Sequence, residues 1–219
     1  KEALAHVLTR RAHEAGDGRL ASFYYLAASF LRDGEVRPFG RLMATDGKNF
    51  YVGPAYLLAK RKYGERVVPF LWLHEVLHVM HAHPRRMRLV PDRRLYNIVA
   101  DLYVNTLLER RLGRIPEDFV TLPSFVKFVV SERGRELAPE ERRALEELAR
   151  LVAEEKVTVE EAYAVIEKIP AARSALEERF KGSLFCGSDM GGEEELAGGG
   201  GGREAGQGKG AGAGGGAGK

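Results

Sequence analysis

Two histidines four residues apart, His74 and His78, flank the residue best suited to catalysis in this sequence. In an α-helix, residues four apart lie on one face, so both imidazoles can reach a single ion. Zinc accepts neutral imidazole at about 2.0–2.1 Å. Glu75 follows the first histidine, and this H-E-x-x-H spacing puts its carboxylate beside the position where metal-bound water lies. The motif predicts one zinc ion, with Glu75 as the general base that takes a proton from water.

The helix that carries this motif is predicted to be buried. Apolar residues surround the motif on almost every side: Phe70, Leu71, Trp72, Leu73, Val76, Leu77, Val79 and Met80. A helix that is apolar all round belongs in a core, where polar His and Glu side chains need partners. The alternative to a metal site is a pair of core histidines hydrogen-bonded to their neighbours.

A second helical pattern, over residues 95–108, contains a third candidate ligand. It is apolar apart from Thr106 and a polar stripe at four-residue spacing, formed by Asn97, Asp101 and Asn105. No lysine or arginine occurs within it, and a lone aspartate in such a helix is costly unless a cation meets it. We therefore predict Asp101 as the third metal ligand, with the two amides orienting the ligands. The alternative is an aspartate hydrogen-bonded within a polar core network.

His81 and His83 are rival ligands. His81 shares the face of His74 and His78 but lies one turn further along, and three stacked histidines on a straight helix cannot all reach one ion. His83 precedes Pro84, and no glycine provides the turn that brings a third histidine to the metal in the metzincin pattern. Both are therefore expected to line the site or to donate a hydrogen bond to substrate.

Further elements must hold the two central helices in place. The motif helix is predicted to run from Pro69 to His83, where Pro84 ends it, and the Asp101 helix to end before Gly113. Asp46-Gly47, between apolar segments 41–45 and 48–52, predicts a β-hairpin whose two turn residues both have positive φ. Helical spacing predicts the other helices, at about 1–15, 19–32 and 54–63, with two charged amphipathic helices between 139 and 180.

These elements predict an α+β fold. It should be mostly helical, with a small antiparallel sheet that includes the hairpin and packs on the HExxH helix. Residues 1–186 are expected to form this domain. Residues 187–219 are mainly Gly and Ala without an aromatic residue, and they are expected to be a disordered tail or linker because they cannot bury enough apolar surface.

Composition excludes several classes of protein. The net charge of +3 comes from charges of mixed sign spread along the chain, which argues against a nucleic-acid-binding surface. No apolar run of 18 residues is present, so no membrane span is expected. A single cysteine, Cys186, rules out an intrachain disulfide and favours a reducing cytoplasm.

The order and spacing of four motifs resemble the putative metallopeptidase domain family, over roughly residues 20–185. The motifs are Ala-Thr-Asp-Gly-Lys at 44–48, Tyr-Val-Gly-Pro at 51–54, the HExxH segment with His83 and Arg86, and Asn-Ile-Val-Ala-Asp at 97–101 with Asn105. Residues 158–163 match a further, weaker motif. That family is often followed by a von Willebrand factor A-like domain, and here a Gly-rich segment stands in its place.

The resemblance implies a zincin-like fold with His74, His78 and Asp101 as ligands and Glu75 as general base, similar to gluzincins with Asp replacing the usual Glu. It also implies that an edge strand, residues 43–45 or 49–52, pairs with an extended substrate. Some family members are associated with MoxR-type AAA ATPases. Five side chains are open candidates for stabilising the oxyanion: Tyr96, Tyr103, His81, His83 and Arg86.

Three functions are therefore weighed. The first is zinc-dependent hydrolysis of peptide bonds in a peptide or protein substrate. The second is a zinc-binding, non-proteolytic module that acts as an assembly or adaptor factor with an AAA ATPase. Glu75 favours the enzyme, because a scaffold needs no general base. The third, a purely structural zinc domain, requires a closed four-ligand site, and Cys186 is too isolated to complete one.

Overall fold

The computed structural model describes residues 2–14, 16, 18–38, 42–64 and 67–181, and most of these are helical. The predicted tail at 187–219 lies outside the described residues. The elements in chain order are α1 (Glu2–Glu14), α2 (Gly18–Asp33), β1 (Val36–Pro38), β2 (Met43–Thr45), β3 (Phe50–Val52), α3 (Ala55–Tyr63), α4 (Val67–Met80), α5 (His83–Arg86), a 3-10 helix (Met87–Leu89), α6 (Arg93–Leu112), α7 (Leu122–Arg133), α8 (Pro139–Ala153), α9 (Val159–Glu167) and α10 (Pro170–Arg179).

Helices α4 and α6 form the centre of the core and pack against each other. Every residue of α4 from Phe70 to His78 is buried, as the apolar pattern predicts. Helix α6 is buried from Leu95 to Leu108 except at Asn97. The side chain of Asp92 accepts the Leu95 N–H at its start, and Gly113 ends it with a φ of 74°. Among the described residues, no helix is long and apolar enough to cross a membrane.

The outer helices pack against α6. Helices α7, α8, α9 and α10 all contact it. A capping box starts α9, since the Thr158 hydroxyl accepts the Glu161 N–H and the Glu161 carboxylate accepts the Thr158 N–H. These contacts bury α6 along its length, including the turn that carries Asp101.

The sheet has three strands in the order β1-β3-β2, and it is mixed rather than antiparallel. Strand β2 pairs antiparallel with β3, as the hairpin predicts, but β1 pairs with β3 in parallel. The prediction of an antiparallel sheet was wrong because β1 is exposed at all three positions and contains Pro38, so it shows no alternation of apolar residues. Two segments, 43–45 and 49–52, were candidates for the edge strand that pairs with a substrate. Strand β3, in the second segment, is paired on both sides, whereas β2, in the first, is an edge strand.

The hairpin loop is longer than predicted. Thr45 pairs with Phe50, so four residues, 46–49, form the loop, and of these only Gly47 has positive φ, at 94°. The carboxylate of Asp46 organises the loop by accepting the backbone N–H groups of Lys48 and Asn49 at 2.8 and 2.7 Å. This side-chain turn replaces the two-residue turn that Asp-Gly favours.

The sheet packs on the HExxH helix, as expected. Strand β2 contacts α4, and the rings of Phe50 and Trp72 lie 5.5 Å apart between their centroids. Helix α2 also contacts α4. Strand β1 follows α2 in the chain, so this helix helps to position the sheet against the HExxH helix.

Helix α4 ends earlier than predicted. It stops at Met80 instead of His83, and Ala82 adopts a left-handed conformation with φ 54° and ψ 31°. Pro84 then lies in the first turn of a new short helix, α5, where its missing N–H costs nothing. The turn at Ala82 reverses the chain and brings the His83 ring back towards α4.

Substitution of Gly34 tests this arrangement of the sheet. A Cβ at Gly34 would lie 2.6 Å from the Lys48 carbonyl oxygen and 2.9 Å from the Phe50 ring, so backbone would have to move. We expect Gly34→Ala to lower the free energy of unfolding by about 1–3 kcal/mol, the usual cost of overpacking. Urea denaturation measures it, with Gly18→Ala as the control, since nothing lies within 4 Å of a Cβ there. Equal stability of both variants would contradict the packing described.

Candidate metal centre

Three ligand atoms converge where α4 faces α6. Nε2 of His78 lies 3.0 Å from Nε2 of His74 and 3.1 Å from Oδ1 of Asp101, and the third separation, between His74 Nε2 and the same Asp101 oxygen, is 3.4 Å. Among the described residues, His74, His78 and Asp101 form the group of His, Cys, Asp or Glu side chains whose ligand atoms lie close enough together to hold a metal ion. The sequence predicted these three residues together.

The triangle of atoms matches a tetrahedral zinc site in size. Two atoms bonded to one zinc at about 2.0–2.1 Å, with a tetrahedral angle between them, are roughly 3.3–3.4 Å apart. The observed separations are at or slightly below that value. A small outward movement of the His78 ring would therefore fit an ion between the three atoms. The two imidazole nitrogens and the carboxylate oxygen are therefore suited in type and spacing to bind one metal ion.

Burial of the three side chains favours a cation beside Asp101. The side chains of His74, His78 and Asp101 are only 10%, 7% and 9% exposed. An ionised carboxylate removed from water is strongly unfavourable unless it is paired and hydrogen-bonded. The helices place the groups by simple geometry: one turn of α4 separates the two imidazoles, and Asp101 lies in the middle of α6.

Asn105 determines which nitrogen of His74 carries the proton. Its amide nitrogen donates to the Val120 carbonyl at 3.0 Å, which leaves Oδ1 to face Nδ1 of His74 at 3.0 Å. An amide oxygen only accepts, so Nδ1 of His74 is the donor, and its Nε2 is the nitrogen that faces Asp101 and His78 and could bind a metal. The hydrogen bond between Asn105 and His74 is the contact that an amide orienting this ring would make.

Asp101 and the imidazoles shift one another's pKa values. Burial alone would raise the pKa of Asp101, but hydrogen bonds and charges from His74 and His78 hold it well below its usual range. Burial would lower the pKa of His74, yet contacts with Asp101 outweigh it and raise this pKa. The pKa of His78 is lowered, chiefly by burial. These shifts favour an ionised Asp101 and, when no metal is bound, a proton on His74.

Glu75 lies next to the first ligand and is itself buried, with 7% of its surface exposed. It is not one of the three convergent residues. Its negative charge is among those that raise the pKa of His74.

His81 and His83 are not part of the convergent group. His83 contacts it indirectly, because its Nδ1 lies 3.2 Å from Nδ1 of His78, on the side of that ring away from Asp101. His81 is half-buried and stacks on His83 with 5.4 Å between ring centroids. Sequence reasoning missed the contact between His78 and His83 because it depends on the left-handed Ala82, a conformation that only glycine would have signalled.

Three of the five side chains considered for stabilising an oxyanion already donate a hydrogen bond to another group. Tyr96 donates to Glu160 at 2.7 Å, Arg86 contacts the other oxygen of the same carboxylate at 3.2 Å, and Tyr103 donates to the Val157 carbonyl at 3.1 Å. Burial, together with the hydrogen bond to Glu160, raises the pKa of Tyr96. Three of the five candidates for stabilising an oxyanion thus already have acceptors on or beside α9, and His81 and His83 remain.

Comparison with known proteins gives one match. A family model described as "Putative metallopeptidase domain" matches residues 20–217, which is most of the chain. No curated protein and no solved structure matches the chain. The matched range includes both central helices and extends through the Gly-rich segment.

Substitutions at Asp101 and Asn105 should weaken metal binding by different amounts. Asp101→Ala removes a ligand, so zinc affinity should fall far more than the roughly 10–100-fold typical of a residue that only orients a ligand. Asn105→Ala should lower zinc affinity by an amount within that range. Competition with a chelator measures both, with the exposed Asp33→Ala as control. Normal zinc binding by Asp101→Ala would show that the third ligand is misassigned.

The stability that zinc adds should increase with pH. The pKa of His74 is raised above the ordinary 6.5, so its proton contributes stability that is complete below about pH 6.5 and is lost as pH rises through the folded pKa. Zinc competes with that proton for Nε2. We expect one equivalent of zinc to raise the melting temperature more at about pH 7.5 than at about pH 6. A gain that is constant, or larger at the lower pH, would contradict this.

Proposed function

The chain belongs to the putative metallopeptidase domain family, and we propose that it is a zinc-dependent peptidase with His74, His78 and Asp101 as ligands. The observation that carries the proposal is the buried convergence of two imidazole nitrogens and one carboxylate oxygen, with Glu75 beside the first histidine. Imidazole and carboxylate ligands at tetrahedral spacing suit zinc, and three protein ligands are typical of catalytic sites that keep one position open.

The residues of the chain have separate roles in this proposal. When bound, zinc would polarise a substrate carbonyl and make water acidic enough to attack it. Glu75, which is not a member of the ligand group, accepts the proton of that water and passes it to the departing amine. Asp101 stays ionised because both histidines stabilise its charge, and Asn105 keeps the Nε2 lone pair of His74 directed into the site. Burial of the group strengthens each of these electrostatic interactions.

The substrate we propose is an extended segment of a peptide or protein. Strand β2 is an edge strand of the described sheet and contacts α4, so a peptide paired with it would lie beside the helix that carries Glu75. A short sheet packed on the HExxH helix is also the arrangement we take to be zincin-like. We propose no nucleic-acid substrate, since the charges of the chain are mixed in sign.

A second function has one observation in its favour. The three ligand side chains are no more than 10% exposed, so a peptide has little room to reach the site as it stands. A metal-binding module without peptidase activity, acting as an assembly or adaptor factor with a MoxR-type AAA ATPase, needs no such access. The intact Glu75 favours the peptidase.

Substitution of Glu75 separates the two functions. Glu75→Gln keeps the shape of the side chain and removes the proton acceptor, so zinc content and melting temperature should match the wild type. Cleavage of a peptide library, followed by mass spectrometry, should fall by at least about 10²–10⁴-fold, the contribution of a general base. The exposed Glu109→Gln serves as the matched control on α6 and should leave cleavage unchanged.

Two outcomes would count against the peptidase. Cleavage by Glu75→Gln at the wild-type rate would mean that another group acts as base. A zinc-loaded wild-type protein that cleaves nothing in the library, while still binding a AAA ATPase of the MoxR type, would favour the adaptor.

A further inference from the structure

His83 contacts a proposed ligand through a nitrogen that cannot bind the same ion. Nδ1 of His83 and Nδ1 of His78 lie 3.2 Å apart. Two neutral imidazole nitrogens at hydrogen-bond distance share a single proton, because one must donate and the other accept. The position of this proton decides which nitrogen of His78 has a free lone pair.

The contacts of Nε2, the other nitrogen of His78, show which nitrogen has the free lone pair. Nε2 faces Nε2 of His74 at 3.0 Å and the Asp101 carboxylate at 3.1 Å, so it is the atom that belongs to the metal group. A histidine that binds metal through Nε2 carries its proton on Nδ1. The proton between the two rings then lies on His78, and Nδ1 of His83 accepts it.

We propose that His83 is a positioning residue that holds His78 in the tautomer needed to bind zinc through Nε2. The inference rests on the proposed metal site. His83 would do for His78 what Asn105 does for His74, since each ligand ring then donates its Nδ1 proton to an acceptor behind it. The two ligands differ only in whether that acceptor is an amide oxygen or an imidazole nitrogen.

The surroundings of His83 hold its ring rigidly. It is 2% exposed, stacks on His81, and meets the rings of Tyr96 and Tyr103 edge-on at 6.3 and 6.5 Å. The left-handed Ala82 and Pro84 fix the backbone on either side. A ring with so little freedom is suited to hold its partner at one angle.

The second nitrogen of His83 argues against a purely structural role. Nε2 is buried without a hydrogen-bond partner among the described residues, and burying an unpaired polar atom lowers stability. A phenylalanine would fill the same aromatic surroundings without that penalty. The contact with His78 Nδ1 is the polar interaction for which a histidine is needed at this position.

Three variants separate positioning from packing, with zinc affinity measured by chelator competition. His83→Phe keeps an aromatic ring but offers no acceptor, so affinity should fall by roughly 10–100-fold. His83→Asn places an amide near the position of Nδ1 and should recover most of that loss. His81→Phe is the matched control in the same aromatic cluster and should change affinity less than about 3-fold.

The stability of the metal-free protein gives the second readout. His83→Phe removes the unpaired Nε2 but leaves Nδ1 of His78 without its acceptor, and because these two effects oppose each other its melting temperature without zinc should stay close to that of the wild type. A large loss of stability in both His83→Phe and His83→Asn, with unchanged zinc affinity, would assign His83 to the core alone and overturn the proposal.

Nitrogen-15 NMR of histidine-labelled, zinc-loaded protein observes the tautomers directly. We expect His78 to carry its proton on Nδ1 and His83 on Nε2. A proton on Nδ1 of His83, or wild-type zinc affinity in His83→Phe, would overturn this inference while leaving the metal site in place. A wild-type protein that binds no zinc would overturn both the inference and the proposed function.

Discussion

The structure depends on how one carboxylate is accommodated inside the protein. Asp101 lies in the middle of α6, a helix that is buried along most of its length, and its side chain is 9% exposed. Such a group must be neutral or must have a counter-charge close by. Two imidazoles from α4 supply the contacts that keep it ionised, and their nitrogens lie at the spacing of metal ligands around one ion.

The polar groups around Asp101 form a continuous chain of contacts across the core. It runs from the Val120 carbonyl through Asn105 to His74, then across the ligand group to His78 and His83. Helix α6 provides Asn105 and Asp101, α4 provides the two ligand histidines, and the turn at Ala82 adds His83. Each member depends on a neighbour for its orientation, so the packing of α4 on α6 sets the geometry of the site.

The convergence of His74, His78 and Asp101 could be predicted because it depends on regular features. Helical spacing puts the two histidines on one face, and a lone acid in an apolar helix requires a cation. The end of α6 was equally clear, since Gly113 is a strong C-terminal cap residue. The packing of the hairpin on the motif helix followed from the buried, apolar character of both.

The features that the sequence did not predict depend on pairing between distant segments or on an unfavourable backbone conformation. Strand β1 forms only because β3 offers an unpaired edge, and its own sequence, exposed and containing Pro38, carries no strand signal. The end of α4 at Met80 depends on Ala82 adopting a conformation unfavourable for any residue but glycine, at a cost of about 1–2 kcal/mol. Contacts around His83 stabilise this turn, and none of them is visible in the local sequence.

The position of a metal ion in crystals of the zinc-loaded protein tests the central claim most directly. Anomalous diffraction at the zinc edge locates the ion without reference to any assumed ligand. One peak at about 2.0–2.2 Å from Nε2 of His74, Nε2 of His78 and Oδ1 of Asp101 is the result we predict. A peak bonded to His83 in place of Asp101, or no peak between α4 and α6, would contradict the account.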